Sequence, residues 1–283
     1  FAASDPRIGI WRPRLRSLGL FVLLLTALMA PPAWAEVRVV VSFSILADMA
    51  KQIGGDKVSV VSLVPPGGDA HVHQPKPTDA KALADARLVI VNGLGFDTWA
   101  DRLLKSTGYK GALAVASRGV DTIAVKAHSH AHGHGGGGKE PDPHAWQDLA
   151  RAQIYVRNIA AALAAADPAN AGAYAANGER YAAELRELDT WTRAEIGAIP
   201  ADKRKVITSH DAFGYFAAAY GVTFLAPAGV STEKEPSAKD VARIARQAKA
   251  EGVKAVFVEK MSDPRLVEQL AREAGAAVGG LSC

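Results

Sequence analysis

The stretch PANAGAYAANGERYAAELRELDTWTRAEI, Pro168 to Ile196, has no proline after its first residue and is rich in alanine, glutamate, arginine and leucine. These residues favour helix, with Gly172 and Gly178 opposing. Pro168 suits the first position of a helix, where its missing N–H costs nothing. Tyr174, Tyr181, Leu185 and Leu188 recur at helical spacing. At about 1.5 Å per residue, the 28 residues of Ala169–Ile196 span roughly 40 Å. A helix of that length can join two compact lobes. Gly197 and Pro200 end it.

On either side of this helix the chain alternates strand and helix. Before it, Val37–Val41, Val58–Val64, Leu88–Val91 and Ala112–Ala116 read as strands. Between them, Ser44 is a candidate cap for a helix through Ile53, Thr78 caps a short helix, and Asp97 starts one that runs to Lys105. Leu149–Ala165 is an alanine-rich helix that stops at Asp167-Pro168. After the long helix, Lys205–Ser209, Val222–Leu225 and Lys254–Glu259 read as strands. Asp211–Tyr220 reads as a helix closed by Gly221. Ser237 with Asp240 resembles a capping box for a second helix, and Pro264–Ala274 is a third, ended by Gly275. Ala276–Cys283 begins one more element. The expected fold class is therefore α/β: two similar lobes with mainly parallel sheets joined by a long rigid helix.

The expected divisions are a signal peptide at 1–35, an N-terminal lobe at 36–166, a linker helix at 167–198 and an incomplete C-terminal lobe at 199–283. Arg12, Arg14 and Arg16 precede the 13-residue apolar run Leu18–Ala30, which is short for a membrane span. Ala33-Trp34-Ala35 supplies a small-x-small cleavage pattern, so export to the periplasm is expected. The leader holds four Arg and one Asp, so its removal lowers the formal net charge from +4 to +1. That leaves no basic excess that would argue for nucleic acid as a partner. The one cysteine, Cys283, excludes an internal disulfide and a multi-cysteine zinc site.

Five of the eight histidines lie between His128 and Asp148. His128, His130, His132 and His134 sit in a glycine-rich loop, 127–138. His144 lies between a proline and an Ala-Trp pair. His71 follows the second strand, with His73 a rival two residues on, and His210 closes the strand that starts at Lys205. In open α/β sheets, ligand sites form beyond the carboxyl ends of strands. Neutral imidazole suits Zn²⁺. Its second nitrogen needs a partner, for which Asp69, Asp142 and Asp211 are near in sequence and Glu235 is a further candidate. Spacing alone does not make the three loops one site.

The leader, Val39–Ala47, Gly68-Asp69-Ala70-His71-Val72-His73-Gln74-Pro75-Lys76-Pro77, Asp142-Pro143-His144-Ala145-Trp146, Ser209–Phe216 and Gly229–Ser237 together resemble the zinc/manganese class of bacterial ABC-transporter substrate-binding proteins. The resemblance runs in order over nearly all of the chain after the leader. It implies metal in the cleft between the lobes, with His71, His144 and His210 as ligands. It also implies delivery of Zn²⁺, as cargo, to a membrane permease driven by an ATPase, by a protein acting as a monomer. Ala70 stands where that family often has proline. Histidine at the position of His210 is the pattern of zinc importers, whereas manganese importers usually have glutamate there. The His128–His134 tract matches the zinc branch, where it would be an accessory metal site.

One departure stands out. The family's fourth ligand is an aspartate shortly after a Gly-Gly, but this chain reads Gly279-Gly280-Leu281-Ser282-Cys283. The aspartate is missing, Cys283 falls near its place as a candidate accessory metal ligand, and the sequence reads as a truncated gene end. Two other functions compete. Manganese or copper could be the ion. A zinc hydrolase would need a general base near the metal, for which Glu235 and Glu259 are the acidic candidates, though neither lies in a metallohydrolase motif.

Overall fold

The computed structural model describes residues 36–125 and 140–281, so the leader, the His128–His134 tract and Cys283 lie outside the described residues. The N-terminal lobe runs β1 (Val37–Phe43), α1 (Ser44–Gly54), β2 (Val58–Val64), α2 (Pro77–Ala84), β3 (Leu88–Val91), α3 (Thr98–Thr107) and β4 (Ala112–Val115). Then come α4 (Leu149–Ala166) and the long α5 (Ala171–Ala198). The C-terminal lobe runs β5 (Lys205–Ile207), α6 (Gly214–Tyr220), β6 (Thr223–Leu225), α7 (Ala238–Ala250), β7 (Ala255–Glu259), α8 (Pro264–Ala274) and β8 (Ala277–Leu281).

Both sheets are parallel and share one strand order, β2-β1-β3-β4 and β6-β5-β7-β8. The chain leaves β1 toward one neighbour and later returns on its other side, as it does around β5. Such a reversal opens a crevice at the carboxyl ends of the central strands. The α/β reading, with two lobes and a long helix, is the observed architecture.

Apolar patterning explains the layers. β1 and β3 are buried almost throughout, as expected for parallel strands covered on both faces. Val39, Val41 and Ile90 pack with Leu46 and Ile53 of α1 and with Tyr155, Ile159 and Leu163 of α4. Each such aliphatic side chain contributes about 1.5–3 kcal/mol of burial. The C-terminal core is smaller and sets Ile207 and Val256 against Ile244 and Ala248 of α7 and Val267 and Leu270 of α8.

Helix α5 has 28 residues, two positions later than the sequence suggested, because Pro168–Asn170 forms a 3₁₀ turn first. Tyr174, Gly178, Ala182 and Leu185 are its buried face, against α1 and α4. Gly178 is a packing site and not a weak point: a Cβ there would lie 3.1 Å from the Ala160 methyl of α4. The second half turns outward and exposes Leu188 and Trp191. It reaches the C-terminal lobe through Asp189, which accepts the Tyr220 hydroxyl at 2.8 Å, and Arg193, which donates to Ala219 O at 2.8 Å.

Some caps differ from expectation. Ser237 does accept the Asp240 amide at 3.2 Å. Helix α1 starts at Ser44 itself, so that residue is not its cap. Helix α2 starts at Pro77, and the Lys76 amide is taken by Asp79 at 2.8 Å, leaving Thr78 inside the helix. Asp97 sits at the α3 start, but its carboxylate accepts the Asn92 and Gly93 amides and so closes the turn after β3. No helix of the described residues is long and apolar enough to cross a membrane.

Candidate metal centre

His71 rides on the loop that follows β2. The loop turns at Pro65–Gly68 through the Gly68 amide, and Trp99 of α3 holds it by donating Nε1–H to Ala70 O at 2.7 Å. The Asp69 carboxylate accepts the His71 amide at 2.9 Å, and the His71 ring lies edge-on to Phe96. His73 is not part of the centre. Its Nε2 bonds Asp79 Oδ2 at 2.9 Å and its ring stands against Trp99, so it fastens the loop to α2 and α3.

His144 sits just before a 3₁₀ turn at Ala145–Gln147. Asp142 Oδ1 takes both its backbone amide, at 2.9 Å, and its ring Nδ1–H, at 2.8 Å. Behind this pair, Tyr155 donates to Asn92 Oδ1 and Asn92 donates to Pro143 O, which ties the segment to β3 and α4.

His210 follows β5. The strand stops at Ile207, before Ser209, because the Ser209 and His210 amides leave the ladder for Glu259 Oε1, at 3.0 and 3.3 Å. Glu259 Oε2 then takes the His210 ring Nδ1–H in a short hydrogen bond. Glu259 is fully buried at the end of β7. The Asp211 amide donates to Gly229 O, and α6 begins only at Gly214.

The three rings meet between the lobes. Their candidate ligand atoms all lie within 4.8 Å of one another, and His71 Nε2 is 3.1 Å from His144 Nε2. A tetrahedral zinc with Zn–N of about 2.0–2.1 Å sets its nitrogens roughly 3.3 Å apart, so little rearrangement is needed. With Nδ1–H of His144 and His210 given to carboxylates, their Nε2 lone pairs face the centre. The network then assigns the Nε2 proton of the 3.1 Å contact to His71. Burial pushes the His71 ring down to about 3, helped by His144 and His210, and pushes His144 well below the usual histidine range. Both rings are therefore held neutral at physiological pH, and the His71 proton moves from Nε2 to Nδ1 when Nε2 takes a metal. Burial raises Asp142 to about 6, against the pull of the His144 amide and of His210. Phe43, Phe96 and Trp146 wall the cleft, with Lys260 and Met261 at its C-terminal side.

Asp142, one of the acidic residues near a candidate ligand in sequence, bonds the His144 ring. Sequence proximity missed Glu259 in that role, because 49 residues separate it from His210. The one available signal was its place at the end of a strand. Glu259 is not placed to act as a base: its oxygens are taken by two amides and a ring. Glu235 is exposed on a neighbouring groove, and the cluster of described ligand groups consists of the three histidines. Val125 and Glu140 pair through a 3.0 Å backbone bond and border a groove that His71 also lines.

A family model described as zinc-uptake complex component A, periplasmic (ZnuA), matches residues 39–282. The metal ABC transporter substrate-binding lipoprotein FimA of Streptococcus parasanguinis is 35% identical over 90% of this chain and 84% of its own length. The manganese-binding lipoprotein MntA of Halalkalibacterium halodurans is 30% identical over 92% of this chain and 86% of its own. The solved periplasmic zinc binding protein TroA of Treponema pallidum superposes with a TM-score of 0.76 at 27% identity, covering 87% of this chain and 88% of that one. With sequence and fold in agreement from β1 to the last strand, the chain belongs to the ZnuA family: it is a substrate-binding component of metal ABC transporters, and not an enzyme.

Proposed function

We propose that the cleft captures Zn²⁺ outside the inner membrane and hands it to an ABC permease driven by its ATPase, with His71, His144 and His210 as the protein ligands. The observation that carries this reading is the donor set: three imidazoles, with no carboxylate among the clustered ligand groups of the described residues. Nitrogen donors suit zinc, whereas Mn²⁺ prefers carboxylate and other oxygen ligands. We take residues 1–35 as a cleaved leader. No cysteine follows Ala35 before Cys283, which favours a released protein over a lipid-anchored one.

A second reading, manganese as cargo, is supported by relatives such as MntA, whose name assigns it that metal. Competition decides between them. The metal-free protein, offered equal Zn²⁺ and Mn²⁺ at neutral pH, is expected to retain zinc when the bound metal is measured by mass spectrometry. Retention of manganese would overturn the zinc assignment.

A further inference from the structure

The three rings are not held alike. His144 and His210 each rest on one buried carboxylate that takes both ring and backbone amide. The lobes are also tied beside them. The Tyr215 hydroxyl of α6 donates to Asp142 O at 2.9 Å and accepts the Ile123 amide at 3.3 Å, and its ring is buried with the N-terminal core. His71 is half-buried on a loop, and its Nε2 faces another histidine. Asp69 grips its backbone and not its ring, through Oδ1 at 2.9 Å.

The other oxygen of Asp69 crosses the cleft. Oδ2 accepts the hydroxyl of Thr232 at 2.7 Å, across 163 residues of chain. Thr232 belongs to the connection between β6 and α7, in the C-terminal lobe. One carboxylate therefore joins the amide of a candidate ligand in one lobe to a hydroxyl in the other.

We propose that Thr232 is a positioning residue: through Asp69 it holds His71 against the other two rings and sets the rate at which bound metal leaves. This rests on the reading that the three-histidine cleft takes zinc. His144 and His210 form the fixed part of the site, and His71 is the ligand that comes and goes. The hydroxyl–carboxylate bond is charge-assisted, so it is among the stronger single contacts a loop can make. Trp99 and His73 keep the rest of the loop on the N-terminal lobe. Losing the Thr232 bond thus frees the cleft-facing side of the loop without unravelling it.

The test is zinc release from the loaded full chain into excess chelator, followed by stopped flow. Thr232→Val and Thr232→Ala remove the hydroxyl, and Thr232→Ser keeps it. Release is expected to quicken about tenfold in the first two and to stay within about twofold of the unmodified chain in the third. In a His71→Ala background, Thr232→Val is expected to add nothing. Unchanged release in both hydroxyl-free variants overturns the proposal, as does an equal acceleration with and without His71. Tight zinc binding that survives His144→Ala has a different meaning: it overturns the assignment of the cleft, and the role of Thr232 with it.

Discussion

At the scale of single residues, the centre depends on keeping imidazoles neutral inside a protein. Gly214 shows how tightly that environment is built, since a Cβ there would lie 2.6 Å from Asp142 Oδ2 and displace the carboxylate that orients His144. The buried rings also link folding to pH. His71 is depressed from 6.5 to about 3, and His144 shifts the same way. The unfolded chain then binds protons that the folded chain refuses. Their stabilisation is complete above about pH 6.5 and is lost as pH falls toward the folded values. Asp142, raised from 3.8 to about 6, acts oppositely, favouring the fold at low pH and losing that effect as pH rises through 6. Two imidazoles outweigh one carboxyl group. The urea midpoint of the metal-free protein is expected to fall between about pH 7 and pH 4, and to fall less in His71→Ala. A midpoint that rises on acidification contradicts this. Reference imidazole values put the loss of zinc affinity below about pH 6, whereas the buried His71 ring defers proton competition to lower pH.

At the scale of elements, the sheet registers do the positioning. β5 and β7 are parallel neighbours, with Ile207 opposite Val256, so the end of β7 lies beside the residues that follow β5. That register delivers Glu259 to His210. Glu259→Gln leaves one acceptor oxygen for three donors, so either the ring or both amides lose their partner. Zinc affinity is expected to drop roughly 10–100-fold, measured against a chelator of known affinity. An unchanged constant would remove Glu259 from the site's design. The elements themselves were largely legible in the sequence. Apolar runs, Gly221 and Gly275 as helix stops, and the Ser237 cap all act locally. Some misplaced ends have local causes, as where Asp97 serves the turn after β3 instead of capping α3 and a 3₁₀ turn delays α5, but β5 is shortened by Glu259, 50 residues from Ser209. Local pattern carries no record of such partners.

At the scale of the whole molecule, two sheets of identical order present their carboxyl ends to one cleft, and α5 spans the distance between lobes. The shared rhythm of the two halves made that architecture readable. The convergence of His71, His144 and His210 was not readable from spacing, since nothing local relates loops 73 and 66 residues apart. It emerges when the crevices of the two sheets oppose each other. The same arrangement distributes the tryptophans unevenly. Trp146 stands in the cleft wall, 5.3 Å from the His144 ring, while Trp191 is 59% exposed on the outer half of α5. The molecule therefore carries optical probes at the proposed metal site, Trp146 in the cleft wall and Trp99 under the His71 loop, and an internal reference away from it. Zinc addition is expected to change the emission of the full protein, and Trp146→Phe to abolish most of that change. Iodide should quench the Trp191 component equally with and without metal. A response that persists in Trp146→Phe would place the light-sensitive event elsewhere, and cargo arrival could then be followed in real time by whichever indole reports it.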